Sequence, residues 1–113
     1  KYNITCNYDY IFNELSTQEE VFQHINSLLD DVLYGYNACI FAYGQTSAGK
    51  THTMLGPNGG QDFNISKSDW GVIPRASEYL FNHLQERSQM GGFKYIAKAS
   101  FFQIYNEKLY DLL

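Results

Sequence analysis

The sequence lacks the features that mark membrane, secreted and metal-centred proteins. No apolar run approaches the ~20 residues that a membrane-spanning helix requires, so we expect no membrane span. The first residues, KYNITCNYDY, have no apolar core of the kind found in a signal peptide. Two cysteines, Cys6 and Cys39, show no C-x-x-C spacing and are interpreted as reduced cytosolic thiols. The histidines are too scattered for a metal cluster: His24, His52 and His83.

The sequence also lacks an excess of basic residues. Its formal net charge is −4, which argues against a nucleic-acid partner because proteins that bind nucleic acid generally carry a basic patch. The chain is 44% hydrophobic and 18% charged, which supplies apolar material for a core and is unlike a disordered segment. Its 113 residues fit one small domain or a piece of a larger one.

The clearest periodic pattern predicts one helix over residues 17–34. Ser16 and Glu19 have the spacing of a capping box, with Thr17 as an alternative cap. Gly35 stands where a helix C-terminus favours glycine. Apolar residues recur at helical spacing and would form one face: Val21, Phe22, Ile25, Leu28, Leu29, Val32 and Leu33.

The other predicted elements alternate between strand and helix, which favours the α/β class with a mostly parallel sheet flanked by helices. In chain order they are extended chain over 2–12, a buried strand over 37–44, a helix from 50, a long loop over 56–71, a helix over 74–88 and a strand over 93–102. The last stretch, QIYNEKLYDLL, begins a further element without a closing signal. We therefore expect the fold to be incomplete within this chain.

A glycine-rich motif lies between the predicted strand at 37–44 and the helix that follows it. Residues 44–51 fit G-x-x-x-x-G-K-[ST] at every fixed position. Such a loop curls so that backbone N–H groups point at phosphate, while the lysine reaches the β- and γ-phosphates and the hydroxyl binds Mg²⁺. The predicted phosphate-binding residues are Gly44, Gln45, Thr46, Ser47, Ala48, Gly49, Lys50 and Thr51. Lys50 is the candidate catalytic residue and Thr51 the candidate metal ligand.

A phosphate loop alone does not hydrolyse a nucleotide, because hydrolysis also needs an acid that orients Mg²⁺ and groups that position water. Asp9 follows a segment that is polar in its middle, and Asp111 is expected on a helical surface. Neither fits an acid at the end of an apolar strand. The hydrolytic machinery is therefore not visible in these residues.

The segment VLYGYNACIFAYGQTSAGKTHTMLG resembles the nucleotide-binding part of the kinesin motor domain. The family pattern G-Y-N-x-x-I-F-A-Y-G-Q-T-x-x-G-K-T-x-T-M is matched at all its fixed positions. Further stretches agree in the same order: NYDYIF, TQEEVF, GVIPRASEYLF and SFFQIYNEKLYDLL. The resemblance therefore covers nearly all of residues 1–113 and implies a partial motor domain with a P-loop NTPase fold that is incomplete at both ends.

The resemblance implies an ATP-driven motor that moves along microtubules and is located at the cytoskeleton in the cytoplasm. ATP and Mg²⁺ are the implied cofactors, and His52 would lie beside the adenine, unless it is only a helix-surface histidine. The loop Pro57–Trp70 either borders the nucleotide site or is a solvated insertion. Asn106, Glu107 and Asp111 match the family too, and we expect a structural role for them.

Other parts of the family's machinery are expected outside this chain. The adenine-contacting R-x-R-P strand would precede Lys1, and the N-x-x-S-S-R-S-H and D-L-A-G switches would follow Leu113, as would the main microtubule-binding elements. These 113 residues alone are therefore predicted not to hydrolyse ATP. The alternative is a truncated module that binds nucleotide without turnover. A different P-loop enzyme is disfavoured, because no N-K-x-D guanine signature occurs and no such family explains GYN, IPR and IYNE together.

Overall fold

The computed structural model describes residues 5–60, 62 and 64–113. The chain divides into two compact units, of which the first ends at Asn82 and the second runs from His83 to Leu113. In chain order the elements are α1 (Gln18–Gln23), α2 (Asn26–Leu33), α3 (Lys50–Leu55), 3₁₀ turns at Pro57–Gly60 and Lys67–Asp69, α4 (Val72–Gln89), β1 (Phe102–Tyr105) and β2 (Lys108–Asp111). Within this described part, no helix is both long and apolar enough to cross a membrane.

The helix predicted over 17–34 is wrong in its continuity, because the structure has α1 and α2 with a turn between them. Ile25 N–H donates to the Phe22 carbonyl at 3.0 Å, so the chain tightens to a three-residue repeat at this turn. The His24 ring packs on Tyr10, with 3.9 Å between ring centroids. A single tight turn hardly changes the spacing of the apolar residues along the chain. The periodic pattern therefore could not reveal the break between α1 and α2.

The N-cap of α1 is not Ser16, the first of the two candidates predicted from the sequence. Thr17, not Ser16, is the N-cap of α1, and its partner is Glu20 rather than Glu19. The Thr17 hydroxyl accepts from Glu20 N–H at 3.2 Å, and the Glu20 carboxylate accepts from Thr17 N–H at 2.8 Å. After α2, Gly35 has φ +98°, which confirms the expected glycine at this helix end.

The predicted strands over 37–44 and 93–102 are largely not formed in the described residues. The only strand pairing there is antiparallel, between β1 and β2, with Phe102 opposite Asp111 and Tyr105 opposite Lys108. Phe41 and Tyr43 are 81% and 94% exposed, although their segment was predicted to be a buried strand. A strand needs a partner with which to share hydrogen bonds, so an apolar run without a described partner stays extended chain.

The hairpin corrects the prediction for the end of the chain, where Asp111 lies in β2 rather than on a helical surface. Asn106 and Glu107 form the turn between the strands, with φ of +49° and +61°. Positive φ at both central residues is the conformation of a hairpin turn whose twist matches the flanking strands. Asn106, Glu107 and Asp111 thus have a place in the hairpin itself.

The core of the first unit lies where α1, α2 and the start of α4 meet. Its buried apolar side chains are Phe22, Leu29 and Val72. Helix α4 begins two residues before the predicted start and ends one residue after the predicted end, with Pro74 in its first turn as expected. The Phe22 and Tyr79 rings meet edge to face, with centroids 6.4 Å apart. Tyr79 OH donates to Asp30 Oδ1 at 2.6 Å and so ties α4 to α2.

The hydrogen bond between Tyr79 and Asp30 predicts a loss of stability at alkaline pH. The hydrogen bond to Asp30, then burial and the negative charge of Asp30, raise the pKa of Tyr79 above its usual value of 10.0. Because the pKa of Tyr79 is higher in the folded than in the unfolded state, its hydrogen bond contributes fully to the free energy of unfolding at a pH below the unfolded-state pKa. This contribution is lost as pH rises through the folded-state pKa. The difference in free energy of unfolding between wild type and Tyr79→Phe should be constant up to about pH 9 and shrink above about pH 10. Chemical denaturation across this range measures it; a difference independent of pH would contradict the assignment.

Candidate functional site

The glycine loop curls tightly between the extended chain and α3. Ser47 has φ +66° and Gly49 has φ +89°, so both lie in the left-handed region. Ala48 N–H donates to the Gln45 carbonyl at 3.2 Å, and Thr53 N–H donates to the Gly49 carbonyl at 2.9 Å. The structure therefore brings residues 44–51 together as one continuous turn that enters a helix.

The two motif glycines are needed for different reasons. A Cβ on Gly44 would lie 3.2 Å from Cβ of Ala48, so a side chain there would crowd the inside of the turn. A Cβ on Gly49 would meet open space, so its requirement is the left-handed backbone that precedes Lys50. Together these glycines allow residues 44 and 48 to approach closely and the chain to turn into α3, which a loop that curls around a phosphate group requires.

The Lys50 ammonium lies at this loop. Its Nζ donates to the carbonyl of Gly44 at 2.8 Å and to the carbonyl of Gln45 at 2.6 Å. An ammonium carries three hydrogens, so these two bonds fix its position and leave one donor for a phosphate oxygen. The positive charge is thus held beside the glycine loop rather than extended into solvent.

Thr51, the candidate metal ligand, is exposed on the first turn of α3. A Cβ on Gly59 would lie 3.6 Å from the Thr51 methyl group, so the turn at Pro57–Gly60 lies next to this residue. In the described ranges, no group of three or more His, Cys, Asp or Glu residues is arranged to hold a metal ion. A hydroxyl together with phosphate oxygens is an oxygen donor set of the kind Mg²⁺ prefers, so these residues fit the ion only with a nucleotide.

His52 is held by a residue that the sequence analysis missed. Gln18 Nε2 lies 2.7 Å from the His52 carbonyl oxygen and 3.1 Å from His52 Nδ1. Both residues border a cavity of about 490 Å³ between the start of α1 and the loop after α3. The lining residues are Ser16, Thr17, Gln18, Glu19, His52, Ser68 and Asp69. No local signal could have found Gln18, because its partner lies 34 residues further along the chain.

The loop Pro57–Trp70 borders this cavity through Ser68 and Asp69 and is not a featureless insertion. It closes at its base, where Gly56 and Gly71 approach so closely that a Cβ on Gly71 would lie 2.7 Å from Gly56 N. Ser68 and Asp69 are nevertheless exposed, so both interpretations of the loop stay predictions.

Arg75 on α4 holds the loop Pro57–Trp70 through hydrogen bonds. The sequence analysis did not predict this role. Its side chain is 10% exposed and pairs with the Glu19 carboxylate on α1. Its guanidinium also donates to three backbone carbonyls at 2.8–2.9 Å, those of Lys67, Ser68 and Trp70. The stretch GVIPR resembles a family motif, but nothing in its residues indicates these partners. Through Arg75, α4 holds one wall of the cavity beside His52.

Comparison with known proteins identifies the class. A model of the kinesin motor domain matches residues 1–113. "Kinesin-like protein KIF15" from Homo sapiens is 45% identical over 112 residues, which cover 96% of this chain and 8% of that protein. The crystal structure of the Drosophila kinesin family member NOD in complex with AMPPNP matches with a TM-score of 0.73 at 32% identity, covering 94% of this chain and 35% of that one.

NOD is matched in other states as well. One is a complex with divalent manganese and ADP, and another is NOD docked with bovine tubulin in a map of its nucleotide-free complex with the microtubule, each with a TM-score of 0.72. The arrangement of extended chain, glycine loop and helix is thus that of a P-loop nucleoside triphosphatase fold. More narrowly, the chain belongs to the kinesin motor domain family. It spans 8% of the length of the human relative and 35% of the NOD chain.

Proposed function

We propose that this chain is the ATP-binding part of a motor that couples ATP hydrolysis to movement along microtubules. The observation that carries the proposal is the Lys50 ammonium, held at the mouth of the curled loop by the carbonyls of Gly44 and Gln45. It places a positive charge at a glycine-rich loop of the kind that binds a phosphate group through its backbone. Membership of the kinesin motor domain family supports ATP as the nucleotide, as does the AMPPNP complex of NOD.

Each residue of the site has a proposed role. The backbone of residues 44–49 binds the phosphate chain, and Lys50 contacts the β- and γ-phosphates as the catalytic charge. The Thr51 hydroxyl would hold Mg²⁺, which would neutralise the negative charge of the phosphates. His52 lies beside the adenine. The manganese–ADP complex of NOD supports a divalent ion at such a site.

Turnover and movement would need residues outside this chain. None of the 113 residues matches the N-x-x-S-S-R-S-H or D-L-A-G switch segments, so we propose that these residues alone bind nucleotide without hydrolysing it. A module that only binds nucleotide is therefore the second candidate function.

The proposed partner is the microtubule, and the proposed location is the cytoplasmic cytoskeleton. The docking of NOD with tubulin supports this partner. The chain itself has a net charge of −4, and the microtubule surface is acidic. Favourable contact would therefore come mainly from other parts of the protein.

The test is phosphate release by the full-length protein, measured with and without stabilised microtubules, beside a polypeptide limited to these 113 residues. We expect ATP hydrolysis by the full-length protein that microtubules accelerate, and none by the short polypeptide. A full-length protein that binds ATP but never hydrolyses it would favour the binding module. A full-length protein that hydrolyses GTP instead would contradict the proposal.

A further inference from the structure

The side chain of Gln18 makes two hydrogen bonds to one residue of another helix. Its amide nitrogen is 2.7 Å from the His52 carbonyl oxygen, and a carbonyl oxygen can only accept. The atom at that distance must therefore be the NH₂ nitrogen of Gln18, which settles which way the amide is turned. The second hydrogen of the same NH₂ group is available to His52 Nδ1, which lies 3.1 Å from the Gln18 nitrogen.

This contact favours one tautomer of His52. Because Nδ1 lies 3.1 Å from the nitrogen that carries the amide hydrogens, this contact favours an accepting Nδ1 and places the ring proton on Nε2 in the neutral ring. A ring with the proton on Nδ1 would turn N–H against N–H at this contact. Gln18 thus selects both the orientation of the imidazole and the nitrogen that can donate a hydrogen bond elsewhere.

Gln18 lies in the first turn of α1, and this turn is held by two sets of contacts. It is the first residue of α1, directly after the Thr17 N-cap, whose capping box with Glu20 holds the first turn in place. The next residue, Glu19, pairs with the largely buried Arg75 of α4. The amide is therefore presented from a helix start that is anchored both by its own cap and by a neighbouring helix.

We propose that Gln18 is a positioning residue for the nucleotide base, which it orients through His52. This inference rests on the proposed function, since it requires that a nucleotide base enters the cavity beside His52. Since His52 borders that cavity, its imidazole would supply a flat face for stacking and, in the tautomer that Gln18 favours, a donor at Nε2. Gln18 itself would touch neither the phosphates nor the reacting atoms, so it acts on affinity for the base and not on the chemical step.

The experiment uses Gln18→Glu in the full-length protein. Glutamate has the same shape as glutamine, but its carboxylate only accepts hydrogen bonds. It would therefore repel the His52 carbonyl and would favour a proton on Nδ1 instead of an accepting Nδ1. Folding should be preserved, because an acidic residue is favourable in the first turn of a helix. We expect the KM for ATP to rise by about 10-fold, near the value of one lost hydrogen bond plus repulsion, with little change in kcat. Gln18→Ala removes the bonds without repulsion and should shift KM in the same direction by less.

Two readouts separate this role from a merely structural one. Inorganic tripolyphosphate has phosphates and no base, so its inhibition constant should be the same in Gln18→Glu as in wild type. The ¹⁵N shifts of labelled His52, assigned with His52→Gln, should show a protonated Nε2 in wild type and a different state in Gln18→Glu. Gln85→Glu, the same change on an exposed position of α4, is the matched control and should alter neither.

The outcomes distinguish this inference from the proposed function. Unchanged KM and an unchanged His52 signal in Gln18→Glu would overturn the inference and leave the function intact. Equal weakening of ATP and tripolyphosphate would also overturn it, since the effect would then be on the whole site. If wild type binds tripolyphosphate as tightly as ATP, the base contributes nothing and the inference is overturned. If wild type binds neither compound, the proposed function itself fails.

Discussion

Replacing Lys50 with alanine in the full-length protein should abolish ATP turnover, lowering kcat by at least about 100-fold. The ammonium is fixed by the carbonyls of Gly44 and Gln45 at 2.8 and 2.6 Å. Charge that develops on the β- and γ-phosphate oxygens would lose its compensating partner. Glutamine or another neutral residue could not replace it, because the missing element is the charge. Steady-state phosphate release with saturating ATP and microtubules measures the effect.

The control for this prediction is Lys98→Ala, which removes an exposed lysine from the segment before β1 and should leave kcat unchanged. Because Lys50 also bonds to the loop, unfolding of both variants should be measured alongside. A cooperative unfolding transition close to that of wild type would show that the lost turnover reflects chemistry. Near-normal kcat in Lys50→Ala would refute the assignment of this loop to the phosphates.

Features that depend on local chemistry could be predicted from the sequence. The glycine loop was found because its residue types and spacing are those that a curled backbone and a phosphate demand, and the structure places residues 44–51 in one turn. The glycine after α2 and the proline in the first turn of α4 were found for the same reason. In each case a few neighbouring residues determine the conformation.

Features that depend on distant partners could not be predicted. The apolar run over 37–44 has the composition of a strand, but pairing needs a neighbour that composition does not supply. Likewise, Gln18 meets His52 across 34 residues, and Arg75 meets Glu19 across 56. Such pairs arise because α1, α3 and α4 pack near one another, and no spacing rule within one segment describes that packing.

The second large effect is expected at Gly71, where α4 is about to begin. A Cβ at this position would lie 2.6 Å from Leu55 N and 2.6 Å from the carbonyl carbon of Met54. These are backbone atoms at the end of α3, so no flexible side chain can move aside. Gly71→Ala should therefore lower the free energy of unfolding by about 3 kcal/mol, at the upper end of the cost of overpacking. Chemical denaturation of the full-length protein measures it.

Gly91→Ala provides the contrasting control, because a Cβ there would meet open space and only its φ of +85° disfavours alanine. Its cost should stay near the ~1–2 kcal/mol of a left-handed residue. Relief of the clash at Gly71 requires α3 and α4 to separate, which would move Thr51 and His52 relative to the cavity wall. The same variant should therefore also raise the KM for ATP, whereas Gly91→Ala should not. If Gly71→Ala were as stable as wild type, the close junction between α3 and α4 could not be what holds these two residues in place.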